Sequence, residues 1–230
     1  MGTQNERLIH SALKNYYAPF SDEQEIKIGS YFADAVCEDG IFEIQTSGLY
    51  RLKTKLSVFL EHSRVTVVHP VVRRYRTVFI NSESGEITRE TAFRNMKSNL
   101  SVFEELYSIQ GLLNHENLRV ILAMICMEKR VYHTGEQPPD LTVRSAKRKC
   151  VIEKAPLELL EEIILETPRN YAVFLPQNLP EQFTKKQLSK IAGESRYSLR
   201  TEILRAMGII RKVSKTGNEF VYTVDEKYRG

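Results

Sequence analysis

Cysteine is scarce in this chain. Cys37, Cys126 and Cys150 are odd in number and far apart, which argues against a disulfide framework or a Cys-x-x-Cys zinc site and predicts reduced thiols. No apolar run approaches the roughly 18 residues of a membrane span, and the opening Met-Gly-Thr-Gln-Asn-Glu-Arg lacks the apolar stretch of a signal peptide. The expectation is a cytoplasmic chain with no membrane partner. Neither Gly-x-x-x-x-Gly-Lys-Ser/Thr nor Gly-x-Gly-x-x-Gly occurs, so the usual nucleotide-binding loops are missing, and there is no Gly-x-Ser-x-Gly elbow. His10, His62, His69, His115 and His133 show no His-Glu-x-x-His or other paired spacing. Zinc is therefore not expected, and each histidine reads as an ordinary surface or packing residue. Internal repeats and low-complexity tracts are absent.

What is present fits a folded globular protein. Across 230 residues, 42% are hydrophobic and 27% charged, enough to bury one good core or two. The net charge of +4 is unevenly spread. Met1 to Leu175 carries 22 Lys and Arg against 23 Asp and Glu, whereas Pro176 to Gly230 carries 11 against 6. A basic terminal part beside a near-neutral body fits a grip on an anionic polymer.

The hydrophobic pattern predicts an α/β protein. Leu8, Ile9, Ala12, Leu13 and Tyr16 recur at helical spacing over Glu6 to Tyr17. Glu25 to Cys37 and Ile41 to Thr46 read as a hairpin around Glu38-Asp39-Gly40. Leu49 to Glu61 reads as a helix, Arg64 to Val72 as a β-branched strand, and Arg73 to Ile80 as a further strand before a turn at Ser82 to Gly85. Strand, helix and strand in that order predict a βαβ crossover in a small mixed sheet. Asn99 to Leu113 reads as helix, Leu118 to Tyr132 as a very apolar strand, and Gln137 to Asp140 as a loop before the basic cluster Arg144, Lys147, Arg148 and Lys149. Pro156 to Glu166 reads as a helix with proline in its first turn.

Three polar residues stand out in the hairpin. Alternation along Ile41-Phe-Glu-Ile-Gln sends Glu43 and Gln45 to one face of the strand, opposite Phe42 and Ile44. With Asp34 on the preceding strand, two carboxylates could hold Mg²⁺ beside a phosphodiester. Lys53 and Lys55 follow on the next helix, on opposite flanks of its apolar stripe. Lys55 is the better placed to reach the carboxylates, with Lys53 as the alternate.

In this order of residues the chain resembles the PD-(D/E)XK nuclease superfamily over roughly Glu6 to Val72. That core has an acidic residue on a first helix, an Asp on a strand, and Glu-x-Lys on the next. Glu6 matches the first acid, Asp34 the aspartate and Glu43 the glutamate, while Gln45 stands where the lysine would be. Some members carry Gln there, and in some the lysine has moved to the following helix. Glu-Ile-Gln-Thr, the helix lysine and Val-Val-His-Pro-Val are similar to uncharacterised bacterial members. The resemblance implies Mg²⁺- or Mn²⁺-dependent endonucleolytic hydrolysis of DNA. Asp34, Glu43 and the Ile44 carbonyl would hold the metal. Glu6 would assist the metal or the water, Gln45 would orient the water, and Lys55 would steady developing phosphate charge. Superfamily nucleases often act as dimers, so a homodimer is one implied arrangement, although no heptad seam or symmetric patch points to it.

Past Tyr171 the character changes. Thr184-Lys-Lys-Gln reads as a capping box opening a short helix that stops at Gly193, and Ser195 as the cap of a second helix, Arg196 to Met207, closed by Gly208. Ile209 to Val213 and Phe220 to Val224 flank a hairpin tip. Helix, turn, helix and hairpin resemble a winged-helix domain. Arg196, Tyr197 and Arg200 would face DNA from the second helix, with Ser198 adding a contact, and Lys212 and Lys215 would meet phosphate from the wing.

The expected organisation is a nuclease-like core over residues 1–80, an α+β extension over 81–175 and a winged helix over 176–230. Two competing readings stand beside the nuclease. One is a non-catalytic DNA-binding or regulatory protein on a degenerate nuclease scaffold, which Gln45 favours. The other is an interaction module whose winged helix recruits another protein.

Overall fold

The computed structural model describes residues 4–20, 23–96, 100–148, 150–194 and 199–229. Helix α1 (Gln4–Tyr17) leads into β1 (Gln24–Ile28), β2 (Tyr31–Cys37) and β3 (Gly40–Ile44). A 3-10 turn (Leu49–Leu52) and α2 (Lys53–Leu60) then carry the chain to β4 (Val65–Asn81). β5 (Ile87–Glu90), β6 (Arg94–Asn95), α3 (Leu100–Ser108), β7 (Leu118–His133), α4 (Arg144–Arg148) and β8 (Val151–Leu165) follow. The remaining elements are a 3-10 segment (Pro168–Phe174), β9 (Phe183–Thr184), α5 (Lys185–Ile191), α6 (Arg200–Ala206), β10 (Ile210–Thr216), β11 (Glu219–Val224) and a last 3-10 turn (Glu226–Tyr228).

One large mixed sheet has the order β1-β2-β3-β4-β7-β8, with β5 and β6 paired to the outer half of β4. β3 runs parallel to β4 and β4 parallel to β7, as a strand-helix-strand crossover demands. β4 and β7 lie in the interior of the sheet, and where both faces are covered, over residues 65–72 of β4 and 118–127 of β7, their sequences are largely apolar. Leu13 of α1 packs with Phe42, Ile44, Val68, Ile121 and Ile125 on one face. On the other, Leu52, Leu56 and Phe59 meet Val65, Val67, Val120 and Leu122. Pro70 sits just beyond the last pairing of β3 with β4, where its missing N–H costs no ladder bond.

Arg64–Val72 and Arg73–Ile80 form one strand rather than two, with a bulge between Val72 and Arg74. β4 pairs with β7 along almost its whole length. Residues 81–175 therefore complete the sheet begun by residues 1–80. Glu25–Cys37, read as one strand, is divided between β1 and β2.

Pro156–Glu166 is strand, not helix. Register shifts against β7 leave Leu160 and Leu157 as extra residues on β8, and each bulge resets the in-out alternation. Apolar residues thereby recur at intervals of three and four along a strand, which imitates a helix. β8 is an edge strand, where proline is tolerated.

Beyond the main sheet, β10, β11 and β9 form a small antiparallel sheet beside α5 and α6. Thr184 caps α5 as its sequence predicts: its side chain accepts from the Gln187 N–H, and Gln187 accepts from the Thr184 N–H. This C-terminal part shares the core of the body. Leu188, Ile203, Leu204 and Met207 join the cluster built by α2, α3 and the sheet, and Phe174 meets Phe103 of α3 edge-on at 5.0 Å.

Candidate active site

β2 and β3 pair from Cys37 with Gly40 up to Ala35 with Phe42. Gly40 makes this hairpin possible: at φ 110° it passes so close to β4 that a Cβ would lie 2.4 Å from the Arg64 carbonyl. The next residues along the two strands are Asp34 and Glu43, and there side chains replace the ladder. The Asp34 N–H donates to Glu43 Oε1 at 3.4 Å, and the Ile44 N–H donates to Asp34 Oδ2 at 2.7 Å. Both carboxylates are thus seated in the fork where the strands part.

Three elements supply the surroundings. Leu52, Leu56, Phe59 and Leu60 bury one side of α2, which turns Lys55 to the fork, where its Nζ donates to Glu43 Oε2 at 2.6 Å. Lys53 is exposed. From α1, His10 Nε2 stands 3.2 Å from Asp34 Oδ2. From β4, buried His69 places Nδ1 2.8 Å from the Gln45 carbonyl, and burial holds its pKa below the usual imidazole value against the opposing pull of that bond.

The two carboxylates differ in their affinity for the proton. Glu43 is 1% exposed, and burial followed by the charge of Asp34 pushes its pKa up to about 7, against the pull of Lys55 and the Asp34 N–H. Burial also raises Asp34, but bonds from His10 and the Ile44 N–H, with the charges of His10 and Lys55, outweigh it and hold Asp34 below the ordinary aspartate range.

The remaining predicted residues lie along the mouth. Glu6 accepts from the Ser47 hydroxyl at 3.2 Å. The Gln45 amide donates to the Ser47 carbonyl and makes no bond to either carboxylate. Glu6, Arg7 and His10 face Gln45, Thr46, Ser47 and Arg51 across a groove of about 270 Å³. Glu105 of α3 anchors the far end of this loop by accepting the N–H groups of Gly48 at 2.8 Å and Leu49 at 2.6 Å. Gly48 adopts φ 70°, a left-handed conformation that suits glycine.

Sequence reasoning overlooked His10, Glu105, Arg7 and Arg51. His10 had a readable signal, since it lies one helical turn beyond Glu6 and so shares its face. Glu105 had none, because its partners are more than fifty residues away.

The predicted DNA-contact residues divide. Arg196 and Tyr197, with Ser195 and Ser198, lie outside the described residues. Arg200 is corrected: its side chain turns inward. It bonds Glu194 at 2.6 Å and the Phe174 carbonyl at 2.6 Å, and stacks 4.4 Å from the centre of the Phe103 ring. Docking of α6 on α3 captures it in that position. Lys212 and Lys215 are exposed on β10, with Nζ atoms 3.8 and 5.9 Å from the centre of Phe220. Arg144 and Arg148 bound the short α4, and Lys149 lies outside the described residues.

A family model described as "Domain of unknown function (DUF8091)" matches residues 7–166. That span runs from α1 to the end of β8 and contains His10, Asp34, Glu43 and Lys55. An uncharacterized protein of Treponema pallidum (strain Nichols) is 30% identical over 226 residues, which cover 96% of this chain and 86% of the relative. No solved structure matches the chain. Among the described residues no helix is long and apolar enough to cross a membrane.

Proposed function

The chain belongs to the family of the domain of unknown function DUF8091, and for this member we propose metal-assisted endonucleolytic hydrolysis of DNA on a PD-(D/E)XK-like core. One observation carries the reading: Asp34, Glu43 and Lys55 converge at the fork between β2 and β3, with Glu43 bonded to both Lys55 and the Asp34 backbone. Lys55 supplies from α2 the positive charge that Gln45 lacks.

The donor set fits a magnesium-type ion better than zinc. Among the described residues no three His, Cys, Asp or Glu side chains gather to enclose a metal, but Mg²⁺ keeps several waters and needs only one or two carboxylates. The raised affinity of Glu43 for a proton, caused by burial and by Asp34, is what a divalent cation would relieve. Asp34, Glu43 and the Ile44 carbonyl are the residues to hold it. Bound there, it would neutralise phosphate charge and acidify a water.

The chain's own groups supply the rest. Lys55 keeps Glu43 in place and lies where phosphate charge would develop. Gln45, with its amide held by Ser47, offers its other end to orient a water, and Glu6 stands at the mouth of the groove as a further acceptor. Arg7 and Arg51, on opposite walls, are placed to bind a phosphate backbone.

For the C-terminal part we propose a winged helix. The order β9, α5, α6, β10, β11 supports it, as does the exposed pair Lys212 and Lys215 braced on Phe220. Arg196 and Tyr197 remain candidates for contact with the duplex. A homodimer would bring two sites to the two strands.

The scaffold reading has its own support in Gln45, whose amide is engaged by Ser47 instead of the carboxylates. Incubating wild type and Asp34→Ala with plasmid and branched DNA in Mg²⁺ or Mn²⁺, scoring binding and cleavage together, separates the two. Cleavage by wild type alone supports the nuclease. Salt-sensitive binding with no cleavage by either protein supports the scaffold.

A further inference from the structure

We propose that the outer end of β4, together with β6 and the Phe93 turn, is a second DNA-contact surface that holds the phosphate backbone of a duplex apart from the catalytic groove. The proposal rests on the reading that this chain acts on DNA. It concerns a different part of the molecule from the carboxylate fork.

The surface is built from neighbouring arginines of β4 beside the short strand β6. β6 pairs with β4 so that Arg94 lies opposite Tyr75 and Asn95 opposite Arg74. The bulge between Val72 and Arg74 leaves Arg73 as the extra residue of β4, exposed, with its carbonyl accepting from the Met96 N–H at 2.9 Å. A bulge re-aims a side chain without ending the strand. Arg73 and Arg74 are thereby neighbours at one place, whereas Arg94, opposite Tyr75, lies on the other face of the sheet.

Phe93 orders Arg74 further. Its ring is 41% exposed, and the guanidiniums of Arg74 and Arg76 lie 4.9 and 5.1 Å from its centre. Arg76 is fixed by Glu128 at 2.7 Å and Glu90 at 3.0 Å, so its charge is already neutralised and it serves as an anchor. Among the described residues no carboxylate forms an ion pair with Arg73, Arg74 or Arg94; the ion pairs of this region belong to Arg76 and Arg130. A stacked guanidinium has given up much of its rotamer freedom and still presents N–H groups at its edge. Such a group is preorganised to grip phosphate oxygens, and it reads no base sequence.

The position suits a long ligand. Val67 pairs with Glu43, and Arg74 lies seven residues farther along β4. At about 3.3 Å per residue the separation is roughly 20 Å. One turn of duplex, roughly 34 Å, would span both places.

The test uses the full chain in chelator, where binding is read without cleavage, with a labelled duplex titrated across a salt series. Arg73→Ala and Arg74→Ala combined should lower affinity about 10-fold, and the slope of log affinity against log salt should fall by about 1.8, or about 0.9 for each phosphate that the protein no longer neutralises. The corresponding double lysine variant should keep most of the slope, since lysine still neutralises phosphate.

If the alanine variant fails to fold, hydrogen exchange on wild type decides: duplex should protect residues 87–96, and unchanged exchange there overturns the proposal. Unchanged affinity and slope in a folded double variant would also overturn it. So would wild type that binds no duplex, or that takes RNA or an acidic polypeptide on these arginines instead. Cleavage is scored separately, so arginine-dependent binding without cleavage would sink the nuclease reading and leave this surface standing.

Discussion

Asp34 and Glu43 are joined across the fork of β2 and β3, where the Asp34 N–H donates to the Glu43 carboxylate just as the two strands stop pairing. The Ile44 N–H returns the bond to the Asp34 carboxylate. Two acids are in this way fixed by backbone, one buried and one partly exposed. Neither can swing away from the other to lower the repulsion, so the cost appears in their protonation.

The pH dependence of stability should carry this signature. Folding raises the pKa of Glu43 from 4.5 to about 7, so the folded protein binds that proton more tightly than the unfolded chain. Stability from this group is complete below pH 4.5 and is lost as pH rises to about 7, by about 3 kcal/mol at about 1.4 kcal/mol per unit. Asp34 acts oppositely: its pKa is lowered, so its contribution is present above the ordinary aspartate value and is lost as pH falls below it. Glu43→Gln should flatten the loss between pH 4.5 and 7 and be the more stable protein at pH 8. Denaturant melts of both proteins at a series of pH values check this.

Lys55→Met removes the cation that Glu43 touches at 2.6 Å. Glu43 should then hold its proton to higher pH, and Mg²⁺ should bind only at correspondingly higher pH, because a carboxylate ligand must first ionise. The Mg²⁺-induced rise in melting temperature, followed against pH, should move upward by about a pH unit. Cleavage should fall about 100- to 1,000-fold, with partial recovery in Lys55→Arg.

Glu105→Ala should loosen the groove from a distance. It frees the N–H groups of Gly48 and Leu49, with an expected cost of about 1–3 kcal/mol. Amide exchange at Gly48 and Leu49 should quicken while Asp34 and Glu43 keep their protonation.

Arg200→Ala should act on stability before it acts on DNA. Glu194, whose side chain is 1% exposed, would lose its ion partner, and a broken buried pair costs about 3–5 kcal/mol. A large drop in the unfolding midpoint, with DNA affinity at low temperature nearly unchanged, is the expected result. A large affinity loss in a protein of wild-type stability would restore Arg200 to the DNA-facing set.

Much of the fork was legible because its determinants are local. Gly40 marks the hairpin, alternation separates Glu43 from Phe42 and Ile44, and the apolar stripe of α2 leaves Lys55 free to turn to the acids. What escaped depends on distant packing. Glu105 reaches Gly48 only because α3 folds over the loop, and Arg200 is drawn inward by Phe103 and Glu194, which no helical wheel contains. β8 read as a helix because two bulges disguised its period. His10 was within reach of pattern reasoning, one turn beyond Glu6, but a lone histidine on an amphipathic helix has no spacing motif to announce it.

The most direct measurement is Mg²⁺-dependent cleavage of plasmid DNA by the wild type beside Asp34→Asn, with binding followed in the same tubes. The account expects cleavage by the wild type and at least about a hundredfold less by Asp34→Asn, with both proteins binding DNA alike. Equal cleavage by the two proteins, or binding without cleavage by the wild type in Mg²⁺ and in Mn²⁺, would contradict it.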